Sequence, residues 1–162
     1  MISEHTIMKH NVKYLRIVIL SLVFSLISIV GNAQTHTYLE RNKAIASELS
    51  LKYGIPVSII LSIAFVESGG GTSKNSVTYN NHFGIVGKNN PQSRYRSFSS
   101  VRECYEAFCK LVVKKDYYSA LKGSGDFSRW VKAIASAGYS TRPKEWMRRI
   151  NLIITKYSLS SL

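Results

Sequence analysis

The chain has 162 residues, 45% of them hydrophobic, which is enough for one domain with a buried core and too few for two domains. It carries 22 lysines and arginines against 9 aspartates and glutamates, a formal net charge of +13. Such an excess of positive charge indicates an anionic partner or surface, the alternative being charge that serves solubility alone.

The N-terminal segment has the three-part pattern of a secretory signal peptide. Three basic residues precede the run 17–30, which is apolar apart from three serines, and Gly31-Asn32-Ala33 follows it. We therefore predict a signal peptide over residues 1–33 and a mature domain over residues 34–162. A retained membrane anchor is the alternative, but a membrane span takes ~20 apolar residues and this run is shorter.

The predicted export indicates which anionic partner to expect, nucleic acid or the cell envelope. The signal peptide takes three basic residues and one acid with it, so the mature chain keeps a net charge of about +11. A protein in the periplasm or at the cell exterior rarely meets nucleic acid, so we expect no nucleic-acid partner. We expect a monomer without a stable membrane anchor, acting on the anionic surface and polymers of the cell envelope.

Two helices are predicted in the first part of the mature chain. Residues 36–53 are amphipathic, and Gly54 follows them as a C-terminal cap. Pro56 suits the first turn of a second helix, which is apolar on nearly all sides and ends at Glu67-Ser68. A helix with that pattern is expected at the centre of the core.

Residues 68–98 have a different composition, dominated by glycine, serine, asparagine and threonine. Their low helix propensity predicts no helix in this segment. Two short strands are predicted at 82–86 and 94–98, joined by a turn over 87–93. One small β-hairpin is therefore expected here.

Helices are predicted for the remainder of the chain. Ser100 and Glu103 form a capping box that opens a helix to about Lys114. Further helices are predicted over 117–122, from Asp126 to Gly138 with Trp130 on its core face, and from Pro143 onward. The predicted fold class is mainly α, a single domain with one small β-hairpin.

The two cysteines, Cys104 and Cys109, lie on the helix that follows Ser100. Five residues along a helix separate them by ~7.5 Å and ~140°, which is beyond normal disulfide reach. We expect two separate thiols, at least one of them buried. Two thiols on different faces also make a poor metal site, and we expect neither a metal nor a cofactor.

The stretch AFVESGGGTS, residues 64–73, places one carboxyl group, that of Glu67, at the end of an apolar helix and before three glycines. The negative end of the helix dipole and apolar surroundings raise a carboxyl pKa, which keeps the acid protonated as a general acid requires. The glycines would let a long substrate approach. A surface glutamate followed by a glycine cap explains the same spacing.

Four stretches occur in the order GIPVSIILSIAFVESGGGTS (54–73), NNHFGI (80–85), RYRSFSSVRECYEAF (94–108) and AGYSTRPKEW (137–146). In order and approximate spacing they resemble the bacterial cell-wall N-acetylglucosaminidases of glycoside hydrolase family 73, over nearly all of the mature chain. The resemblance implies a lysozyme-like, α-rich fold. It also implies cleavage of the glycosidic bond after N-acetylglucosamine in peptidoglycan glycan strands.

The resemblance implies roles for individual residues as well. Glu67 matches the family's catalytic acid, and Tyr139 matches a tyrosine that lines the active site. The residues expected to contact the substrate are Ser68, Asn80, Asn81, Phe83 and Gly84. Without a ligand, turn formation explains the two asparagines, and core packing explains Phe83 and Tyr139.

Two departures from the family's pattern bear on the mechanism. Ser140-Thr141-Arg142-Pro143 stands where relatives often have Ala-Thr-Asp-Pro, so a base replaces an acid. Residues 68–102 contain no Asp or Glu, although many relatives carry a second carboxylate in this hairpin. Substrate assistance by the acetamido group needs one acid alone, with Tyr139 orienting that group. Glu103 and Asp116 are the alternatives for a second acid.

Three functions are compatible with these observations. The first is an exported endo-β-N-acetylglucosaminidase with Glu67 as general acid. A lytic transglycosylase also works with one glutamate on a lysozyme-like fold, but NNHFGI (80–85) replaces the Gly-Leu-Met-Gln-type block expected there. A non-catalytic wall-binding protein with a decayed site would explain the acid-free hairpin and would leave the intact Glu67 unexplained.

Overall fold

Helices make up most of the part of the chain that the structure describes. The computed structural model describes residues 37–162 and, before them, residues 15–16 and 19–20. Most of the predicted signal peptide, including its cleavage site after Ala33, lies outside the described residues. Of the helices described, none is both long and apolar enough to cross a bilayer.

Seven α-helices follow one another within residues 37–162, and the sequence predicts six of them to within two or three residues. They are α1 (37–53), α2 (Val57–Ser68), α3 (Lys74–Tyr79), α4 (Val101–Val113), α5 (Tyr118–Leu121), α6 (Phe127–Ser136) and α7 (Pro143–Lys156). A 3₁₀ turn, Leu159–Ser161, follows α7. Helix α3 is the one that the sequence does not predict.

Helix α2 lies at the centre of the core, as its composition predicts. Ten of its 12 residues are buried, and α4, α6 and α7 pack around it. Pro56 is the N-cap residue of α2. An N–H at the start of a helix has no partner within the helix, so the lack of one in proline costs no hydrogen bond. Gly69, with φ 59°, ends the helix in the left-handed conformation. This packing holds the last turn of α2, and with it Glu67, in a fixed position.

Helix α3 forms where local propensity predicts irregular structure. The Ser73 side chain caps its start by accepting a hydrogen bond from the Ser76 N–H. Asn80, with φ 50°, ends the helix and donates its own N–H to the Asn75 carbonyl. Because both ends are capped, a six-residue helix of poor helix formers is stable here.

The predicted β-hairpin is not confirmed. In place of two strands over 82–86 and 94–98, the structure has a single antiparallel bridge between Val86 and Tyr95. The segments lie side by side, but no ladder extends from the bridge in either direction.

The side chain of Asn81 forms hydrogen bonds to backbone groups in the two segments, so these groups do not need a β-ladder as partner. Its Nδ2 donates to the carbonyls of Ile85 and Arg96, both at 2.8 Å, and its Oδ1 accepts from the Ile85 N–H at 2.9 Å. One buried amide thus satisfies backbone groups that strand pairing would otherwise satisfy. The alternating pattern of the sequence predicts a strand because it does not register such side-chain bonds.

Helix α4 begins close to the predicted capping box. The Ser100 hydroxyl accepts from the Glu103 N–H at 3.1 Å, as expected. The Glu103 carboxylate reaches Ser99, one residue earlier than the box predicts, and accepts from both its N–H and its hydroxyl. Both cysteines of α4 are free, as the helical spacing predicts, and both are fully buried, where at least one is expected to be.

Candidate active site

Glu67 lies in the last turn of α2, where its side chain is half-buried. The indole Nε1 of Trp146, on α7, donates a hydrogen bond of 2.7 Å to its Oε1. Burial raises the pKa of the Glu67 carboxyl, while the bond from Trp146 and the charge of Arg149 act in the opposite direction. The net shift is upward, which favours the protonated form that a proton donor needs.

Gly84 brings the backbone of the 80–85 loop close to the second carboxyl oxygen. Its φ is 66°, and a Cβ at this position would lie 4.0 Å from Glu67 Oε2 and 4.0 Å from Tyr95 Cε1. The carboxyl oxygen and the tyrosine ring therefore face the same small space. Glycine leaves that space open beside the carboxyl group.

Tyr139 lies between Trp146 and the 80–85 loop. Its hydroxyl donates to the Phe83 carbonyl at 3.1 Å, and its ring centroid is 5.4 Å from that of Trp146. Burial, and then the nearby charge of Glu67, raise the pKa of Tyr139 well above its usual value. The phenol is therefore neutral, and one lone pair of its oxygen is available to a hydrogen-bond donor.

The other residues expected at the site hold the loop together. Asn80 donates to the Phe98 carbonyl at 3.0 Å, and the buried Asn81 makes the three bonds described above. The Phe83 ring stacks on Phe108 with centroids 4.2 Å apart. Ser68 is buried, and its hydroxyl accepts from a backbone N–H at 2.8 Å. Contact of these four side chains with a substrate stays a prediction.

The glycines after Glu67 let the backbone pack against aromatic rings. Gly71 has φ 81°, and a Cβ there would lie 2.8 Å from two carbons of the Tyr38 ring. The Tyr38 hydroxyl in turn lies 2.8 Å from His82 Nδ1 and 2.9 Å from the Tyr105 hydroxyl. The turn after α2 is therefore tightly packed, and Gly71 serves this packing rather than the approach of a substrate that the sequence suggests for the glycines.

Two residues of the site are missed by reasoning from the sequence. Trp146 occurs in the AGYSTRPKEW block, but its helical spacing predicts a core residue, and it is indeed buried. Its role emerges only because its indole N–H points at Glu67. Tyr95 is predicted as a strand residue, and nothing in its pattern signals that its ring lies beside Gly84, as the Glu67 carboxyl group does.

No second acid is positioned by the loop that faces Glu67, since residues 68–102 contain none. Glu103 is bound to Ser99, and this bond lowers its pKa. Glu106 accepts from Lys52 and Tyr53, which lowers its pKa to about 2. Both acids are thus engaged in bonds that hold the helices, and Glu67 is the one carboxyl group for which a contact with Trp146 and a place beside Gly84 are observed among the described residues.

Residues 43–159 match the glucosaminidase family, described as mannosyl-glycoprotein endo-beta-N-acetylglucosaminidase. The chain belongs to this family. The glucosaminidase is therefore a glycoside hydrolase, in agreement with the resemblance noted in its motifs. Among curated proteins, no sequence matches it at a significant level.

Solved structures share the fold of this glucosaminidase. The catalytic domain of the autolysin Auto from Listeria monocytogenes is 19% identical, with a TM-score of 0.68 over 79% of this chain and 86% of that one. The truncated glycoside hydrolase domain of FlgJ from Salmonella typhimurium is 22% identical, with a TM-score of 0.64 over 76% and 97%. A peptidoglycan hydrolase mutant from Sphingomonas sp. A1 is 19% identical, with a TM-score of 0.63 over 77% and 96%. These similarities establish a mainly helical, lysozyme-like fold.

Proposed function

We propose that this glucosaminidase hydrolyses the glycosidic bond after N-acetylglucosamine in peptidoglycan, with Glu67 as the proton donor. The observation that carries the proposal is the half-buried Glu67 carboxyl, bonded to Trp146 on one side and open beside Gly84 on the other. The names of the structural neighbours, an autolysin and a peptidoglycan hydrolase, support the choice of polymer.

The single carboxyl group favours substrate-assisted hydrolysis. Glu67 gives its proton to the glycosidic oxygen as the bond to the anomeric carbon breaks. The acetamido oxygen of the same sugar bonds to that carbon and forms a bicyclic intermediate. Water then attacks the anomeric carbon, the bond from this carbon to the acetamido oxygen breaks, and the water loses a proton to the Glu67 carboxylate. The anomeric configuration is retained, and Tyr139 is our candidate for orienting the acetamido group.

Mass spectrometry of digested wall fragments tests the reaction. Hydrolysis after N-acetylglucosamine gives fragments that end in this sugar, with one water added per cut. An anhydro sugar at the end of each fragment would instead establish a lytic transglycosylase. Intact walls would indicate a non-catalytic wall-binding protein. A mannosylated glycoprotein, the substrate named in the family's description, is tested in parallel, and its cleavage would instead indicate an enzyme with that substrate.

Proton NMR of the first-formed product tests the mechanism. Substrate assistance predicts that the β-anomer appears first, and that a thiazoline mimic of the bicyclic intermediate inhibits the enzyme. Initial release of the α-anomer would exclude this mechanism. It would direct attention to Glu103 or Asp116 as a base that holds water.

We further propose that the enzyme is exported as a monomer and works in the periplasm or at the cell exterior. The sequence pattern of residues 1–33 and the positive charge of the remainder support this location. Cell fractionation followed by N-terminal sequencing tests it, and a mature N-terminus at Gln34 is expected.

A further inference from the structure

An open groove of about 450 Å³ adjoins the active site at the start of α7. It is lined by Ser140, Thr141, Arg142, Glu145, Trp146 and Arg149. Trp146 belongs both to this groove and to the active site, because its indole N–H bonds Glu67. A substrate bound at Glu67 would therefore lie within reach of whatever the groove holds.

The groove carries net positive charge. The carboxylate of Glu145 is paired with Arg148 through two hydrogen bonds of 2.8 Å, so its charge is compensated locally. Arg149 donates to the Val66 carbonyl at 3.4 Å. Among the described residues, neither Arg142 nor Arg149 forms an ion pair with a carboxylate. The guanidinium group of Arg142 is thus left for an anionic ligand, while the charge of Arg149, which also acts on Glu67, adds to the positive charge of the groove.

Within the part of the chain that the structure describes, the Arg142 side chain forms no hydrogen bond or ion pair, and its charge acts only at longer range, where it helps to lower the pKa of Glu145. Arg142 stands at the N-cap position of α7, yet its side chain makes no capping hydrogen bond. Its backbone N–H is satisfied by the Ser140 hydroxyl at 3.1 Å. The side chain is exposed, and a cation beside the N-terminus of a helix is unfavourable for the helix itself. A ligand would explain why a base occupies this position.

We propose that the groove binds the carboxylates of a peptidoglycan stem peptide, with Arg142 as the main contact. This proposal rests on the proposed function, because it places the glycan strand at Glu67. In peptidoglycan the peptides branch from alternate sugars, so a peptide carboxylate lies close to every cleaved bond. Guanidinium groups bind carboxylates through two parallel hydrogen bonds, which fits a peptide that is held at its charged groups.

Paired ligands test the proposal. One glycan fragment with stem peptides is prepared in two forms, with the peptide carboxylates free or converted to primary amides. Both are titrated calorimetrically into the Glu67→Gln protein, which does not turn them over. We expect the free form to bind about fivefold more tightly than the amidated form, the upper range for an exposed ion pair.

Three variants in the same background show whether the groove carries this preference. Arg142→Ala is expected to remove most of the preference, and Arg142→Asp to reverse it, since an aspartate repels carboxylates. Arg129→Ala is the matched control, because it removes an exposed arginine of α6 that does not line the groove. It is expected to leave the preference unchanged.

The outcomes separate this proposal from the function on which it rests. Equal binding of the free and amidated forms, or a preference that persists in Arg142→Asp, would overturn the groove assignment and leave the hydrolase intact. Equally tight binding of a peptide-free fragment with a free lactyl carboxylate would overturn the assignment to the peptide. Failure of every fragment to bind, with walls left uncut by the unmodified enzyme, would overturn both proposals.

Discussion

At the scale of single residues, the Glu67 carboxyl is subject to opposing influences on its pKa. Burial favours the neutral form, whereas the Trp146 indole and the charge of Arg149 favour the carboxylate. A general acid must be protonated when the substrate arrives, so activity is lost as the pH rises through this pKa. With Glu67 as the proposed proton donor, we therefore expect its neighbours to set the alkaline limit of the activity.

We predict that Trp146→Phe moves the alkaline limb of the activity profile to higher pH. The substitution removes a hydrogen bond to the charged form of Glu67, and such bonds contribute about 1.5–3 kcal/mol, or roughly one to two pH units. The profile of kcat/KM against pH on solubilised glycan strands measures the shift.

Trp130→Phe is the matched control for this change. Trp130 is also buried, but its indole N–H donates to the Ser124 carbonyl at 3.0 Å and not to Glu67. The control is expected to lose stability and to keep the alkaline limb where it is. A limb that does not move in Trp146→Phe would show that the bond has no influence on the reacting acid.

Glu67→Gln tests the identity of the proton donor itself. The amide keeps the size of the side chain but has no acidic proton to give. We predict a folded protein whose activity falls at least ~100-fold, the lower end of what general acids contribute. Clearing of a peptidoglycan suspension measures the rate, and circular dichroism checks the fold. Activity close to that of the unmodified enzyme would remove Glu67 from the mechanism.

At the scale of secondary-structure elements, the turn between α2 and α3 is held by the packing of Gly71 against Tyr38. We predict that Gly71→Ala lowers the free energy of unfolding by ~2–4 kcal/mol, from left-handed strain and overpacking together. Urea unfolding measures the loss. Gly125→Ala is the control, since a Cβ at Gly125 meets no atom within 4 Å and its φ is not left-handed. Equal losses in the two variants would contradict the packing argument.

A buried group of polar rings joins α1, the 80–85 loop and α4. His82 lies within hydrogen-bond distance of Tyr38, and burial lowers the pKa of His82 from 6.5 to about 4. Between these values the unfolded chain binds a proton that the folded chain does not. Stability is therefore expected to fall as the pH drops from about 6.5 to about 4.

Urea unfolding at several pH values measures this dependence. His82→Gln supplies the comparison, because its amide can still accept from Tyr38 and does not titrate. We predict a flatter pH dependence for this variant over the same window. Glu67 acts in the opposite direction, since its raised pKa makes the fold less stable as the pH rises, and this contribution is common to both proteins. Parallel curves would exclude His82 as the titrating group.

Local sequence patterns predict some of the secondary-structure elements and miss others. Hydrophobic periodicity and caps predict α2, α4 and α7, because those helices are amphipathic or apolar over three or more turns. Helix α3 and the missing ladder depend on single serine and asparagine side chains that bond backbone groups. The order of apolar and polar residues in the sequence does not predict these side-chain to backbone hydrogen bonds.

At the scale of the whole molecule, the chain is strongly basic, with a net charge of +13, and we predict that its binding to cell walls weakens with salt. Exposed charges are screened over ~8 Å at physiological ionic strength, and over less at higher salt. Retention of the Glu67→Gln protein on insoluble wall material at rising salt measures the effect. Walls stripped of their anionic polymers are the control. Retention that is indifferent to salt on both materials would indicate sugar contacts alone.

The site was predictable from the sequence only in part, because it forms from distant segments. Glu67 could be proposed as a candidate, since an acid at the end of an apolar helix is conspicuous within ten residues. The pairing of Glu67 with Trp146 spans 79 residues, and the Tyr38–Tyr105 contact spans 67. Such contacts depend on how the helices pack against one another, and the residue spacing within a single helix does not determine that packing.

The buried thiols of α4 have a consequence for the oxidation of the chain, should it be exported as we propose. Burial raises the pKa of Cys104 to about 11 and that of Cys109 to about 12, so almost no thiolate exists in the folded protein at neutral pH. Thiolate is the species that exchanges with disulfides. In the unfolded chain both thiols titrate near ~8.5 and are open to oxidants. Folding and oxidation are therefore competing reactions. A chain that folds first carries two unreactive thiols. A chain in which Cys104 and Cys109 are first joined by a disulfide cannot form α4, because the helix holds these residues too far apart for the bond.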